Sequence, residues 1–341
     1  MKRILIATDA WHPQVNGVVR SLKSLQAQAR HLGTEIDFLT PEGFPSFALP
    51  TYSSVRLAVP RAREIARRIE RTVPDAMHIA TEGPIGIFAR RYCMKRGLAF
   101  TTSFMTRFPE YISARVPIPE SWSYAVLRNF HAAAQLTMIS TQSLRDELVA
   151  RGFQRLAMWT RGVDTALFSP DRVASLDLPR PIFVSVGRVA VEKNLPAFLA
   201  LDLPGSKVVI GDGPQMAELK RRFPRAHFLG TMEGETLAAH IAAADVFVFP
   251  SRTDTFGIVQ LEALACGVPV AAYPVMGPKD VIDGNPVGSL DENLGAACVK
   301  ALAISRPSCR AFALTRSWEK SAAQFIANCR PLARQSEVSA G

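Results

Sequence analysis

The sequence predicts an α/β protein built from two Rossmann-like, parallel-sheet domains facing a cleft. Three observations lead there. Short apolar runs alternate with longer helical periodicities along most of the chain, and strands alternating with helices build parallel sheets. The alternation restarts near residue 180, after a polar stretch containing prolines. The length, 341 residues, suits two cores of ordinary size.

The elements follow in chain order. Ile4–Thr8 reads as a first buried strand, since Asp9 and His12 end its apolar run before a signal peptide could form. Asn16-Gly17 opens a helix with Val18, Leu22, Leu25, Ala29 and Leu32 at helical spacing and Gly33 as its stop. Further strands are expected at Ile36–Leu39, Met77–Ala80, Ala99–Phe104 and Leu136–Ser140, then a helix over Thr141–Arg151 ended by Gly152. The second half places strands at Pro181–Val186, Val208–Ile210, His227–Leu229, Asp245–Phe249 and Val268–Ala272. Domains are expected over 1–168 and 179–316, joined by a linker at 169–178. A last helix at 317–330 should pack back on the first domain, ahead of a polar, disordered tail at 331–341. Ligands of open parallel sheets bind at the carboxyl ends of the strands.

Charge is uneven. Residues 1–166 hold 22 Lys/Arg against 13 Asp/Glu, and residues 167–341 hold 18 against 17. The basic half points to an anionic partner. Arg61, Arg63, Arg67, Arg68 and Arg71 form one basic cluster, and Tyr111–His131 mixes Trp122, Tyr124, Val126, Leu127 and Phe130 with Arg115 and Arg128. Neither interleaves aromatics as a nucleic-acid groove requires, so an anionic membrane surface ranks above nucleic acid. Read alone, each is equally well a solvated or packed helix. No apolar run approaches the ~20 residues that span a bilayer. The five cysteines show no Cys-x-x-Cys pair and read as reduced, buried, cytosolic thiols. No Gly-x-Gly-x-x-Gly follows the first strand, which argues against a nicotinamide enzyme.

The second domain carries spaced signals. Arg188 and Lys193 lie on the loop after a strand, where they could clamp a diphosphate; read alone, they are two solvated cations. Ile210-Gly211-Asp212-Gly213-Pro214 is a strand and a tight turn. In Thr253-Asp254-Thr255-Phe256-Gly257-Ile258-Val259-Gln260-Leu261-Glu262, two acids flank the start of a helix whose N-terminus attracts phosphate. Their plain alternatives are a helix cap for Asp254 and a surface charge for Glu262.

In order and spacing, this series resembles the retaining glycosyltransferases of family 4, which have the GT-B fold, along nearly the whole chain. The family's Glu–seven residues–Glu pattern stands here as Asp254 and Glu262. Thr-Asp-Thr-Phe-Gly looks like the subgroup with sulfolipid synthases, diacylglycerol glycosyltransferases and α-mannosyltransferases, as does Tyr273–Ile282. The resemblance implies a hexosyl transfer from a UDP- or GDP-sugar to an acceptor hydroxyl, with a lipid as the expected acceptor. It makes the second domain the donor side and the first the acceptor side. Arg188 and Lys193 would bind the donor diphosphate and Asp254 the sugar hydroxyls. Glu262 would take the ribose, and backbone amides at Phe256, Gly257 and Ile258 the phosphates. Thr255, Gly211, Gly213 and Arg161 complete the expected donor contacts. Asn16 and Gly17 match the family's amino-terminal glycine loop, and Glu82, Met105 and Arg107 lie on segments assigned to the acceptor side.

Met105 departs from the pattern, which has histidine there, and a thioether accepts no proton. The implied same-face mechanism, in which the leaving phosphate takes the acceptor's proton, needs no protein base. No metal or other cofactor is implied, since two cations and a helix dipole face the leaving group and no Asp-x-Asp appears. Domain closure would exclude water. The expected location is cytoplasmic, peripheral on the inner face of the membrane. Two alternatives are a nucleotide-sugar-binding protein with impaired catalysis, favoured by Met105, and a GT-B-fold nucleotide-sugar epimerase.

Overall fold

The computed structural model describes residues 2–12, 17–49, 52–113 and 119–332. The expected features at Asn16 and Arg115 and the tail beyond 332 lie outside them. The chain divides into two units, residues 1–160 with 318–341, and residues 161–317.

The first unit runs β1 (Lys2–Ala7), α1 (Gly17–His31), β2 (Thr34–Leu39), and an antiparallel hairpin of β3 (Ser46–Leu49) and β4 (Tyr52–Ala58). Next come α2 (Ala62–Thr72), β5 (Ala76–Ile79), α3 (Pro84–Lys95), β6 (Thr101–Ser103), α4 (Phe108–Ser113) and α5 (Glu120–Ala132). It closes with β7 (Leu136–Ile139), α6 (Gln142–Ala150) and β8 (Leu156–Met158). Six strands form a parallel sheet in the order β2-β1-β5-β6-β7-β8. Successive residues of a strand face opposite sides, and both sides are apolar. Leu5, Ala7, Met77 and Ile79 pack against Ile65 and Ile69 of α2, Ala89 of α3 and Phe130 of α5. Ile4, Ile6 and Ile36 pack against Leu22 and Leu25 of α1 and against Phe325.

The second unit holds β9 (Ile182–Val186), a 3₁₀ turn (Val191–Lys193), α7 (Leu195–Leu199), β10 (Ser206–Ile210), α8 (Met216–Arg222) and β11 (His227–Phe228). It continues with α9 (Gly234–Ala242), β12 (Val246–Phe249), α10 (Ile258–Ala265), β13 (Val270–Ala272), α11 (Pro278–Ile282) and β14 (Gly288–Leu290). Then come α12 (Leu294–Ala301) and α13 (Arg306–Leu314). Its parallel sheet has the order β11-β10-β9-β12-β13-β14. Ile182, Val184, Phe247 and Phe249 face one core and Phe183, Val246 and Val248 the other, as strands buried on both faces require.

The unit boundary differs from the expected one. Val163 and Phe168 are buried in the second core, and Leu176 and Leu178 pack on it. Arg310 donates to the carbonyls of Phe168 and Thr165 at 2.7 and 2.9 Å, and Ala174 N–H donates to Ala239 at 3.0 Å. The stretch 169–178 is therefore a strap on the second unit, not a free linker; its polar residues hide a few spaced apolar anchors. The last helix, α14 (Trp318–Asn328), belongs to the first unit. Phe325 is fully buried there, and Trp159 Nε1 donates to Ser321 Oγ at 3.1 Å. Burying a side chain of that size contributes roughly 1.5–3 kcal/mol. The hairpin, β8 and β14 were not expected from the sequence; β8 and β14 have three residues each, too few for a periodicity.

All five cysteines are free and buried. Burial pushes the thiols of Cys93, Cys266, Cys298 and Cys329 up to about 12 and Cys309 up to about 11. Thiolate is the reactive form. At pH 8 the native protein is therefore expected to leave Ellman's reagent nearly unreacted, while all five thiols react in guanidinium. Rapid native labelling of even one thiol would contradict this burial.

Candidate active site

Strand order reverses between β9 and β12 in the second sheet and between β1 and β5 in the first. Loops leaving such neighbours diverge and open a crevice at the carboxyl ends. Most of the residues singled out in the sequence sit on these loops.

In the second unit, the loop after β9 carries Arg188, half-buried, and Lys193. Lys193 Nζ donates to both carboxylate oxygens of Asp254, on the loop after β12, at 2.7 and 2.8 Å. Two further bonds lock these loops. Asn194 Nδ2 donates to the Pro250 carbonyl at 3.1 Å, and Ser251 Oγ donates to the Glu192 carbonyl at 3.0 Å. Asn194 takes a left-handed φ of 51°, which asparagine tolerates better than most residues. That conformation turns the chain from the 3₁₀ turn into α7 and leaves Lys193 facing Asp254.

Gly257, at φ 75°, caps α10 without a side-chain bond, so Asp254 is not the helix cap. A Cβ at Gly257 would lie 2.6 Å from the Phe249 ring. The amides of Phe256, Gly257 and Ile258 precede the helix's own hydrogen-bond ladder. Gln260 is fully buried; its Nε2 donates to the Phe256 carbonyl at 2.8 Å. Its Oε1, like Thr253 Oγ1, is buried without a hydrogen-bond partner among the described residues. Glu262, 5 % exposed, is not a surface charge, because α10 is a core helix buried from Gln260 onward. Thr255 is half-buried on the same loop.

Gly211 and Gly213, expected among the donor contacts, also let two loops pack closely. A Cβ on Gly211 would stand 1.9 Å from the Gly187 carbonyl oxygen, and one on Gly213 2.5 Å from that of Val189. Val189 N–H donates to Asp212 at 2.9 Å. The two glycines let the loop after β10 run against the loop that carries Arg188. Arg161 is buried, and burial lowers its guanidinium to about 9, which leaves it charged at neutral pH.

In the first unit, Asp9 follows β1 and caps α3, accepting from the Ile85 and Gly86 amides at 2.8 and 3.2 Å and from Thr81 Oγ1 at 2.9 Å. Burial raises its pKa. Glu82 Oε1 lies 3.2 Å from Nε2 of His131, whose Nδ1 lies 2.9 Å from Thr102 Oγ1. Gly17 is the first residue of α1 and is exposed. Met105 is half-buried against the cluster of Ile4, Ile6 and Trp159, where a thioether packs well. Arg107, expected on the acceptor side, is engaged in a network of ion pairs. It donates to Glu110 and to Glu147 (3.1 Å), and Tyr124 Oη donates to Glu110 at 2.7 Å. That network ties α4, α5 and α6 together and holds the guanidinium 13 % exposed. Reading the sequence missed Asp9, His131, Asn194 and Ser251. Only Asn194, beside Lys193, carried a local signal.

Two family models match the chain: "Glycosyltransferase Family 4" over residues 15–167 and "Glycosyl transferases group 1" over residues 180–303. A GDP-mannose-dependent alpha-mannosyltransferase of Mycobacterium tuberculosis (strain CDC 1551 / Oshkosh) is 30 % identical over 93 % of both chains. The alpha-monoglucosyldiacylglycerol synthase of Streptococcus pneumoniae is 24 % identical over 95 % of this chain and 83 % of that one. Among solved structures, sucrose-phosphate synthase from Thermosynechococcus elongatus superposes with a TM-score of 0.77 at 17 % identity, covering 100 % of both chains. The fold class is GT-B, with two Rossmann-like parallel-sheet domains.

Proposed function

The chain belongs to glycosyltransferase family 4, and from that membership we propose that it moves a hexosyl unit from a nucleoside-diphosphate sugar to a lipid hydroxyl, with retention and without a metal. The Lys193–Asp254 pair beside the N-terminus of α10 carries this reading. It puts a cation, a hydroxyl acceptor and the first amides of a helix on adjoining loops at one switch point.

In this scheme Arg188, Lys193 and the amides at Phe256–Ile258 bind the donor diphosphate. Asp254 accepts from sugar hydroxyls and Glu262 from the ribose. As the anomeric carbon–phosphate oxygen bond breaks, negative charge grows on the diphosphate, and these groups stabilise it. The acceptor oxygen bonds to the same face of the anomeric carbon, and its proton passes to the leaving phosphate. Met105 has no proton to move in this scheme, which agrees with its packing against the core. Among the described residues, no group of three or more His, Cys, Asp or Glu is arranged to hold a metal ion. The two cations and the helix dipole take the role of a metal, and no other cofactor is needed.

Two observations support a lipid acceptor at an anionic membrane surface. Trp122 and Val126, one turn apart on α5, are 71 % and 69 % exposed. Arg61, just before α2, and Arg63, Arg67 and Arg71 on it are exposed, and α2 and α5 cover the same face of the first sheet. An apolar anchor and a set of arginines on one face of the unit suit an anionic interface. No helix among the described residues is long and apolar enough to cross a membrane.

The test is a thermal-shift panel of UDP- and GDP-sugars, followed by transfer with the stabilising donor. A donor at 100 times its Kd stabilises by about 2.7 kcal/mol. Transfer to diacylglycerol in phosphatidylglycerol vesicles is expected to exceed transfer to soluble sugars. Stabilisation by a donor with transfer to soluble sugars alone would remove the lipid acceptor; absence of any donor effect would remove the whole scheme.

A further inference from the structure

Lys193 and Asp254, which the scheme above assigns to different parts of one donor, hold each other in the protein. Both carboxylate oxygens accept from the one ammonium at 2.7 and 2.8 Å, which occupies two of its three donors. The side chains are 26 % and 14 % exposed, so water compensates them only in part when they separate. The flanking bonds Asn194–Pro250 and Ser251–Glu192 keep the two loops together. A diphosphate that reaches Lys193 therefore meets a carboxylate of its own sign on the same ammonium.

We propose that Asp254 makes the site discriminate the intact donor from the nucleoside diphosphate product, by exchanging partners with the first and reclaiming Lys193 from the second. The proposal rests on the donor-site reading given above. An intact donor brings phosphate oxygens to Lys193 and hydroxyl donors to Asp254, so both members of the broken pair are satisfied again. The product brings only the phosphates. It leaves a mostly buried carboxylate without a donor and next to an anion, and both effects are costly. Re-forming the pair relieves them and favours release. A residue that only contacted the sugar would leave the affinity for the bare nucleoside diphosphate unchanged, so the two roles separate on that measurement.

Asp254→Asn keeps the size and removes the charge. UDP and GDP, and the sugar nucleotide identified by thermal shift, are titrated calorimetrically into wild type and variant. Asp254→Asn is expected to bind the nucleoside diphosphate about 5-fold tighter or more, the scale of one ion pair released from competition. The intact donor gains less or loses, so the preference for donor over product shrinks, and the product inhibits transfer at lower concentration. Asp254→Ser serves as a second variant should the amide disturb folding, with melting temperature as the check. In a Lys193→Gln background the gain is expected to shrink, because no ammonium remains to be reclaimed and only the like charge beside the phosphates is removed. Unchanged or weaker nucleoside diphosphate binding by Asp254→Asn, with wild type binding normally, overturns the exchange but spares the donor site. Failure of wild type to bind any of these ligands overturns both.

Discussion

Lys193→Ala is expected to lower kcat by about 10²–10³-fold with the fold retained, the scale found when one preorganised donor to a developing anion is removed. Lys193 is held for that work by structure built around it. The left-handed Asn194 ends its 3₁₀ turn, two side-chain-to-carbonyl bonds fasten the turn to the loop after β12, and Asp254 fixes the ammonium by both oxygens. Deleting the cation also leaves Asp254 unbalanced beside the incoming phosphates, so donor KM is expected to rise as well. The double variant Lys193→Ala/Asp254→Asn is expected to recover part of the donor affinity and little of the rate. Some stability is expected to be lost as well, because a carboxylate only 14 % exposed loses the ammonium that both its oxygens accept from. Steady-state kinetics beside thermal melts test this, and an unchanged kcat would remove Lys193 from the reaction.

Gly211→Ala is expected to cost the second unit roughly 3–5 kcal/mol, at the upper end for single substitutions. Its Cβ would stand 1.9 Å from the Gly187 carbonyl oxygen and 2.9 Å from the Gly187 carbonyl carbon. Both are backbone atoms, so no rotamer change gives relief. The loops after β9 and β10 would have to part, straining Gly187 N–H to Ile210 O (3.0 Å), Val189 N–H to Asp212 O (2.9 Å) and Gly211 N–H to Gly230 O (2.7 Å). Gly230→Ala is the control. That residue has a positive φ of 77° but nothing within 4 Å of a built Cβ, so it carries only the conformational cost, about 1 kcal/mol. Denaturant unfolding compares the two. Equal losses would mean that the close approach of the two loops is unimportant.

Much of the architecture was legible from local pattern. The runs that became β1, β9 and β12 are buried on both faces, so continuous apolar character marked them without alternation. Where polar residues interrupt the apolar run, the signal failed. The hairpin of β3 and β4 mixes Pro50, serines and an arginine with its apolar residues. The strap at 169–178 is polar by count, and only the placement of Leu176 and Leu178 shows that it lies on a core. Composition cannot tell a tethered polar segment from a free one.

At the site, the spacing of the residue types is a local property of the chain. Arg188 and Lys193 follow one strand, and Asp254 and Glu262 flank a glycine-started helix after another. Those facts are local, because a strand end and a helix start are set by a few neighbouring side chains. Tertiary structure alone decided who touches whom. It set Lys193 against Asp254 across 61 residues of sequence, because β9 and β12 became neighbours where the strand order reverses. It also set Gly211 against the Gly187 carbonyl, paired Arg107 with Glu110 and Glu147, buried Glu262, and put Met105 against the core. Charge, hydroxyl and glycine look the same in a sequence whether they meet a ligand or another part of the chain. Only the folded distances, which depend on contacts between residues far apart in the chain, distinguish the two.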